Sequence, residues 1–104
     1  MPLADYQKRL DDELQQYVKP YWEPLSMMAA LTEEVGEVAR IMNHRYGDKP
    51  KKHSEEDQDL GAELADVIYA CLTIANSEGI DLDQYLQKSM AKLETRDKGR
   101  FEKK

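Results

Sequence analysis

The chain has one cysteine, Cys71, so it can form no disulfide within itself. Cys71 lies in an apolar run, where a lone thiol most often serves as a small core side chain. No apolar stretch approaches the roughly 20 residues that a membrane-spanning helix requires. The opening segment, MPLADYQKRLDDEL, lacks the apolar centre of a signal peptide, so a cytoplasmic location is the expectation. Basic residues are outnumbered, 15 against 21 acidic, for a formal net charge of −6. That balance argues against general nucleic-acid binding, which usually needs a basic stripe. It leaves room for a nucleotide ligand, because a divalent cation can bridge carboxylates to phosphates. With five glycines and four prolines in 104 residues, turns are sparse. Charged residues make up 35% of the chain and apolar ones 40%, the profile of a soluble, helix-rich domain.

No strand pattern, low-complexity segment or extended repeat is visible, and the periodicity predicts four helices. The first spans about Leu3 to Val18, where Leu3, Tyr6, Leu10, Leu14, Tyr17 and Val18 make one stripe. Pro20 and Pro24 bracket a connection that carries Tyr21 and Trp22. Pro24 suits the first turn of a second helix, which runs to about His44 before Gly47, Asp48 and Pro50. Ser54 with Asp57 resembles a capping box, placing the start of helix three near Glu55; it ends by Ser77 with Gly79 at its C-terminal cap. Asp81 with Gln84 caps helix four, whose stripe is Leu82, Tyr85, Leu86, Met90 and Leu93. The expected architecture is a single all-α domain over residues 1–104, a four-helix bundle completed by self-association.

Two acid pairs interrupt the apolar patterning. Glu34 and Glu37 lie in one helix, preceded by Glu33; Glu63 and Asp66 lie in the next. Each pair has i,i+3 spacing, which puts both carboxylates on one side of a helix. At about 100° per residue, Glu34 falls inside the apolar arc, among Met27, Val38 and Ile41. Glu37 falls at its edge beside Ala30, while Glu33 lies off it, on the side of Arg40. Glu63 sits at the margin of the next arc, between Ala70 and Ile74, with Asp66 beside Ala62 and Thr73. Ionised carboxylates beside a core need a neutralising partner. A set of carboxylates without thiolate or imidazole selects a hard cation, Mg²⁺ or Mn²⁺. His44 and His53 fall at a helix end and in a loop, away from this pattern.

Glu33-Glu34-Val35-Gly36-Glu37 followed by Glu63-Leu64-Ala65-Asp66 resembles the EExxE…ExxD signature of MazG-like nucleotide pyrophosphohydrolases. The gap of 25 residues between Glu37 and Glu63 suits that family, as do the flanking LTEEVGEVAR and GAELADVIYACLTIAN. The resemblance covers about residues 22–100 and is closest to short, single-domain members. It implies an all-α fold and Mg²⁺-dependent hydrolysis of a nucleoside triphosphate to monophosphate and pyrophosphate. It implies Glu34, Glu37, Glu63 and Asp66 as metal ligands and Glu33 as an accessory acid. It also implies phosphate contacts from Lys92, Arg96 and Arg100, and a homodimer or homotetramer. Trp22 is a candidate either to stack on the base or to anchor helix packing. Two other readings remain: a non-catalytic helical module that binds a nucleotide or partner, and hydrolysis of phosphoribosyl-ATP.

Overall fold

Proline dictates where the first turn of the fold falls. Pro20 has no N–H to donate to a preceding helical turn, and it disfavours the helical region for Lys19. Helix α1 spans Leu3–Leu14 and so ends earlier than Pro20 alone requires, short of the expected Val18; Gln15 caps it through its N–H to the Asp11 carbonyl. The computed structural model describes residues 2–49 and 59–104. Within them the chain forms three further helices: α2 (Pro24–Tyr46), α3 (Leu60–Ser77) and α4 (Leu82–Arg96). No strand occurs among the described residues, and no helix there is long and apolar enough to cross a membrane.

Pro24 occupies the first turn of α2, where its missing N–H costs nothing, and α2 runs two residues past the expected His44. Asp59 caps α3, its side chain accepting from the N–H groups of Gly61 and Ala62. The expected start near Glu55, with Ser54 as cap, lies outside the described residues. At the other end Gly79 adopts φ +68°, a left-handed conformation that glycine enters without a Cβ penalty. There the Gly79 N–H reaches the Asn76 carbonyl and the Ile80 N–H the Ala75 carbonyl, closing α3. Asp81 caps α4 as the sequence predicts, accepting from the Asp83 N–H.

The α2–α3 pair is the main packing unit; α1 packs on α3, and α4 packs on α1. Its buried apolar residues are Met27 and Ile41 on α2 with Ala70, Leu72 and Ala75 on α3. Alanines at two of these positions let the helix backbones approach closely. The apolar arcs read from the sequence are wider than this interface. Val35, Leu64 and Ile68 stay about half exposed, and so do Tyr85, Leu86, Met90 and Leu93 of the α4 stripe. The radius of gyration is 17.5 Å, against about 13 Å for a compact chain of this length. One chain therefore does not bury all the apolar surface that its sequence provides.

Candidate metal and nucleotide site

The α2–α3 packing brings Glu34 of the first acid pair to Glu63 and Asp66 of the second. One carboxylate oxygen from each of Glu34, Glu63 and Asp66 lies within 4.8 Å of the other two. Glu34 and Glu63 are half-buried and Asp66 is exposed, so the cluster sits at the rim of the helix interface. The Glu34 carboxyl is pushed above its ordinary value, first by partial burial and then by the negative charges of Asp66, Glu63, Glu37 and Glu33. Burial and like charge both oppose its ionised form. A divalent cation would remove that opposition. The donor set, carboxylate oxygens alone, fits a hard cation.

Glu37 stands one helical turn from Glu34, but its carboxylate is engaged elsewhere. Arg40 Nη2 donates to Glu37 Oε2 at 2.6 Å, a short, charge-assisted contact between partly exposed groups. Sequence reasoning placed Arg40 near Glu33 and missed this pairing, though the i,i+3 spacing of Glu37 and Arg40 was legible. Glu33 is exposed and outside the three-acid cluster, as the wheel predicts.

Glu34 also lines a cavity of about 520 Å³, within the roughly 300–1,000 Å³ common for small-molecule sites. The other walls are largely aromatic: Tyr17, Tyr21 and Trp22 from the α1–α2 connection, and Tyr69 from α3. Ala30 and Ala70, both small, leave its floor open. Of the aromatic residues, only Trp22 was given a ligand role in the sequence. Tyr69 escaped notice because it lies off the α3 apolar arc, and Tyr17 because it was placed on a longer α1. The sequence signal that could have found this wall is its composition: three aromatic residues, Tyr17, Tyr21 and Trp22, within six positions.

The basic residues are placed differently. Arg96 and Arg100 both direct their guanidinium groups to the Asp97 carboxylate, Arg96 Nε at 3.2 Å and Arg100 Nη1 at 3.4 Å. Lys92 is exposed and has no ion pair among the described residues. None of the three lines the cavity that Glu34 shares.

Fold and site together define an all-helical protein with an oxygen-donor acid cluster beside a ligand-sized cavity. A family model, the MazG nucleotide pyrophosphohydrolase domain, matches residues 22–101, and the chain belongs to that family. The family implies hydrolase activity, and its members generally use divalent metals. Relatives include the uncharacterized protein YpjD of Bacillus subtilis strain 168, 44% identical over 98% of this chain and 92% of that protein. YvdC of the same organism is 28% identical over 92% of this chain and 96% of its own length. Among solved structures, the crystal structure of YpjD from Bacillus subtilis superposes with a TM-score of 0.79 at 42% identity, covering 91% of this chain and 97% of that one. A Bacillus-conserved MazG protein described as a nucleotide pyrophosphohydrolase superposes with a TM-score of 0.76 at 40% identity, covering 96% and 97%.

Proposed function

We propose that this protein hydrolyses a nucleoside triphosphate to the monophosphate and pyrophosphate with Mg²⁺, Mn²⁺ substituting. The observation that carries this reading is the meeting of Glu34, Glu63 and Asp66, with Glu34 also lining the cavity that Tyr17, Tyr21, Trp22 and Tyr69 wall. In this reading Glu34, Glu37, Glu63 and Asp66 hold the metal, with Glu37 exchanging its Arg40 partner for the ion. Glu33 is the accessory acid at the rim. These acids would hold a divalent ion, which would supply neutralisation of phosphate charge and activation of water. The chain's own part is to fix the acids on two rigid helices and to seat the nucleoside. Trp22 offers a stacking face for the base, and stacking tolerates any base because each has a π-face. Lys92, Arg96 and Arg100 would reach phosphate oxygens from a neighbouring subunit. That assignment accords with a homodimer or homotetramer, which would also cover the half-exposed apolar residues of α2, α3 and α4.

The test is incubation with Mg²⁺ and a panel of nucleoside triphosphates plus phosphoribosyl-ATP, scored for pyrophosphate. Release is expected from at least one nucleoside triphosphate. Glu37→Ala and Asp66→Ala should each abolish it while helical circular dichroism is retained. Silence of the wild type across the panel would sink the hydrolase reading. Full activity in either variant would remove that residue from the site.

A further inference from the structure

The buried polar side chain among the described residues is Gln7, 8% exposed in α1. A buried amide must satisfy its donors and acceptor or cost stability. Gln7 does so across the fold. Its Nε2 donates to Asn76 Oδ1 at 3.0 Å and to the Ile80 carbonyl at 2.8 Å. Its Oε1 accepts from the Leu82 N–H at 3.0 Å. Asn76 in turn donates through Nδ2 to the Gln7 carbonyl at 2.9 Å and to the Tyr21 hydroxyl at 3.1 Å. The Tyr21 hydroxyl donates to Asp11 Oδ1 at 2.6 Å. The chain of bonds thus starts at the start of α4, crosses α3 and α1, and ends on the connection between α1 and α2.

That end point is the wall of the cavity. The Tyr21 ring lines it, beside Trp22, and Glu34 lines the same cavity. The connection itself has few backbone hydrogen bonds. Between Gln15 and Glu23 its backbone contributes only the Tyr17 N–H to the Leu14 carbonyl beyond the α1 cap. Trp22 is 63% exposed, so little packing fixes it. Lys19 pairs with Glu23 at 2.8 Å within the connection, whereas the Tyr21 hydroxyl ties it to α1 and α3, and its short O–H···O⁻ bond is about twice as strong as a neutral one. Burial and the Asp11 carboxylate both hold the Tyr21 phenol above its ordinary value, which keeps it a donor at neutral pH.

We propose that Tyr21 is a positioning residue for the nucleotide: its hydroxyl, clamped between Asp11 and Asn76, sets the aromatic wall against which the nucleoside binds. The network then controls substrate affinity and leaves the chemical step to the acids of α2 and α3. This rests on the nucleotide-hydrolase reading above, and the test keeps the two apart.

Tyr21→Phe, Asp11→Ala and Asp11→Asn are compared by steady-state pyrophosphate release, thermal melting and fluorescence anisotropy of Trp22, the chain's one tryptophan. Tyr21→Phe frees a wall that must then be reordered each time substrate binds, so it should raise KM several-fold with kcat unchanged. Its Trp22 anisotropy should fall. Asp11→Ala should behave alike, and Asp11→Asn, which keeps an acceptor oxygen, should return KM and anisotropy toward wild type. A merely structural role would lower Tm and leave KM where it was; that result overturns the proposal. So does an unchanged anisotropy, or an Asp11→Asn variant no better than Asp11→Ala. Absence of turnover in the wild type would defeat the hydrolase reading instead, and the anisotropy would still decide whether Tyr21 fixes the wall.

Discussion

Trp22→Ala should separate binding from folding in this chain. Trp22 sits on a connection, outside any helix, and is 63% exposed while lining the cavity beside Glu34. A side chain that exposed carries little of the core, and substitutions at such positions usually change stability by no more than about 0.5 kcal/mol. For a domain of this size that is a Tm shift of about 2–4 °C. Stacking of a base on an aromatic ring is worth about 1–3 kcal/mol when tested by alanine substitution. At tenfold per 1.4 kcal/mol, KM should rise about 5- to 150-fold. Stacking acts on bound substrate and transition state alike, so kcat should stay near wild type. Trp22→Phe should fall between the two. The assay is pyrophosphate release at saturating Mg²⁺ across a range of nucleotide concentrations, alongside a thermal melt followed by circular dichroism. An unchanged KM together with a Tm loss of more than about 8 °C would refute the reasoning and make Trp22 a packing anchor.

Glu34→Gln should raise the Tm of the metal-free protein at pH 7, because it removes a carboxylate whose ionised form the folded state opposes. The sign with pH follows from the direction of the shift. Folded Glu34 titrates above its ordinary value of 4.5, so the folded state binds the proton more tightly than the unfolded one. Its ionisation cost is present above the folded value and is relieved as pH falls toward 4.5. The advantage of Glu34→Gln in melts with a chelator should therefore shrink on acidification, and also on adding Mg²⁺; a constant advantage across pH would contradict it. Gly79→Ala forces a side chain into the left-handed conformation at φ +68° and should cost about 1–2 kcal/mol in denaturant melts. No loss of stability there would show that the turn after α3 relaxes to another conformation.

Much of this architecture was legible because it depends on neighbours in sequence. Helix α4 begins where Asp81 can cap it, and Gly79 marks the end of α3, both local effects of one or two residues. Proline at position 20 was equally visible, yet it bars the helix only from about Lys19, and α1 stops earlier, at Leu14, with Tyr17 and Val18 exposed. The apolar arcs were misleading in a different way. A wheel reports which residues share a face, not how much of the face a partner covers. Val35, Leu64 and Ile68 carry the right pattern and still lie about half in solvent.

By itself the sequence determined the helical class, the spacing of the acid pairs on their own helices and the hard-cation character of the donors. All three follow from the period of the helix and the chemistry of carboxylates. Only the tertiary structure decided which acids meet. The packing of α2 on α3 gathers Glu34, Glu63 and Asp66, while Arg40 engages Glu37. Tertiary packing alone also decided that Gln7, Asn76, Tyr21 and Asp11, drawn from three separate segments, form one network that reaches the cavity wall through Tyr21. Such contacts join residues as far apart as 69 positions, and no helical period or local propensity encodes them.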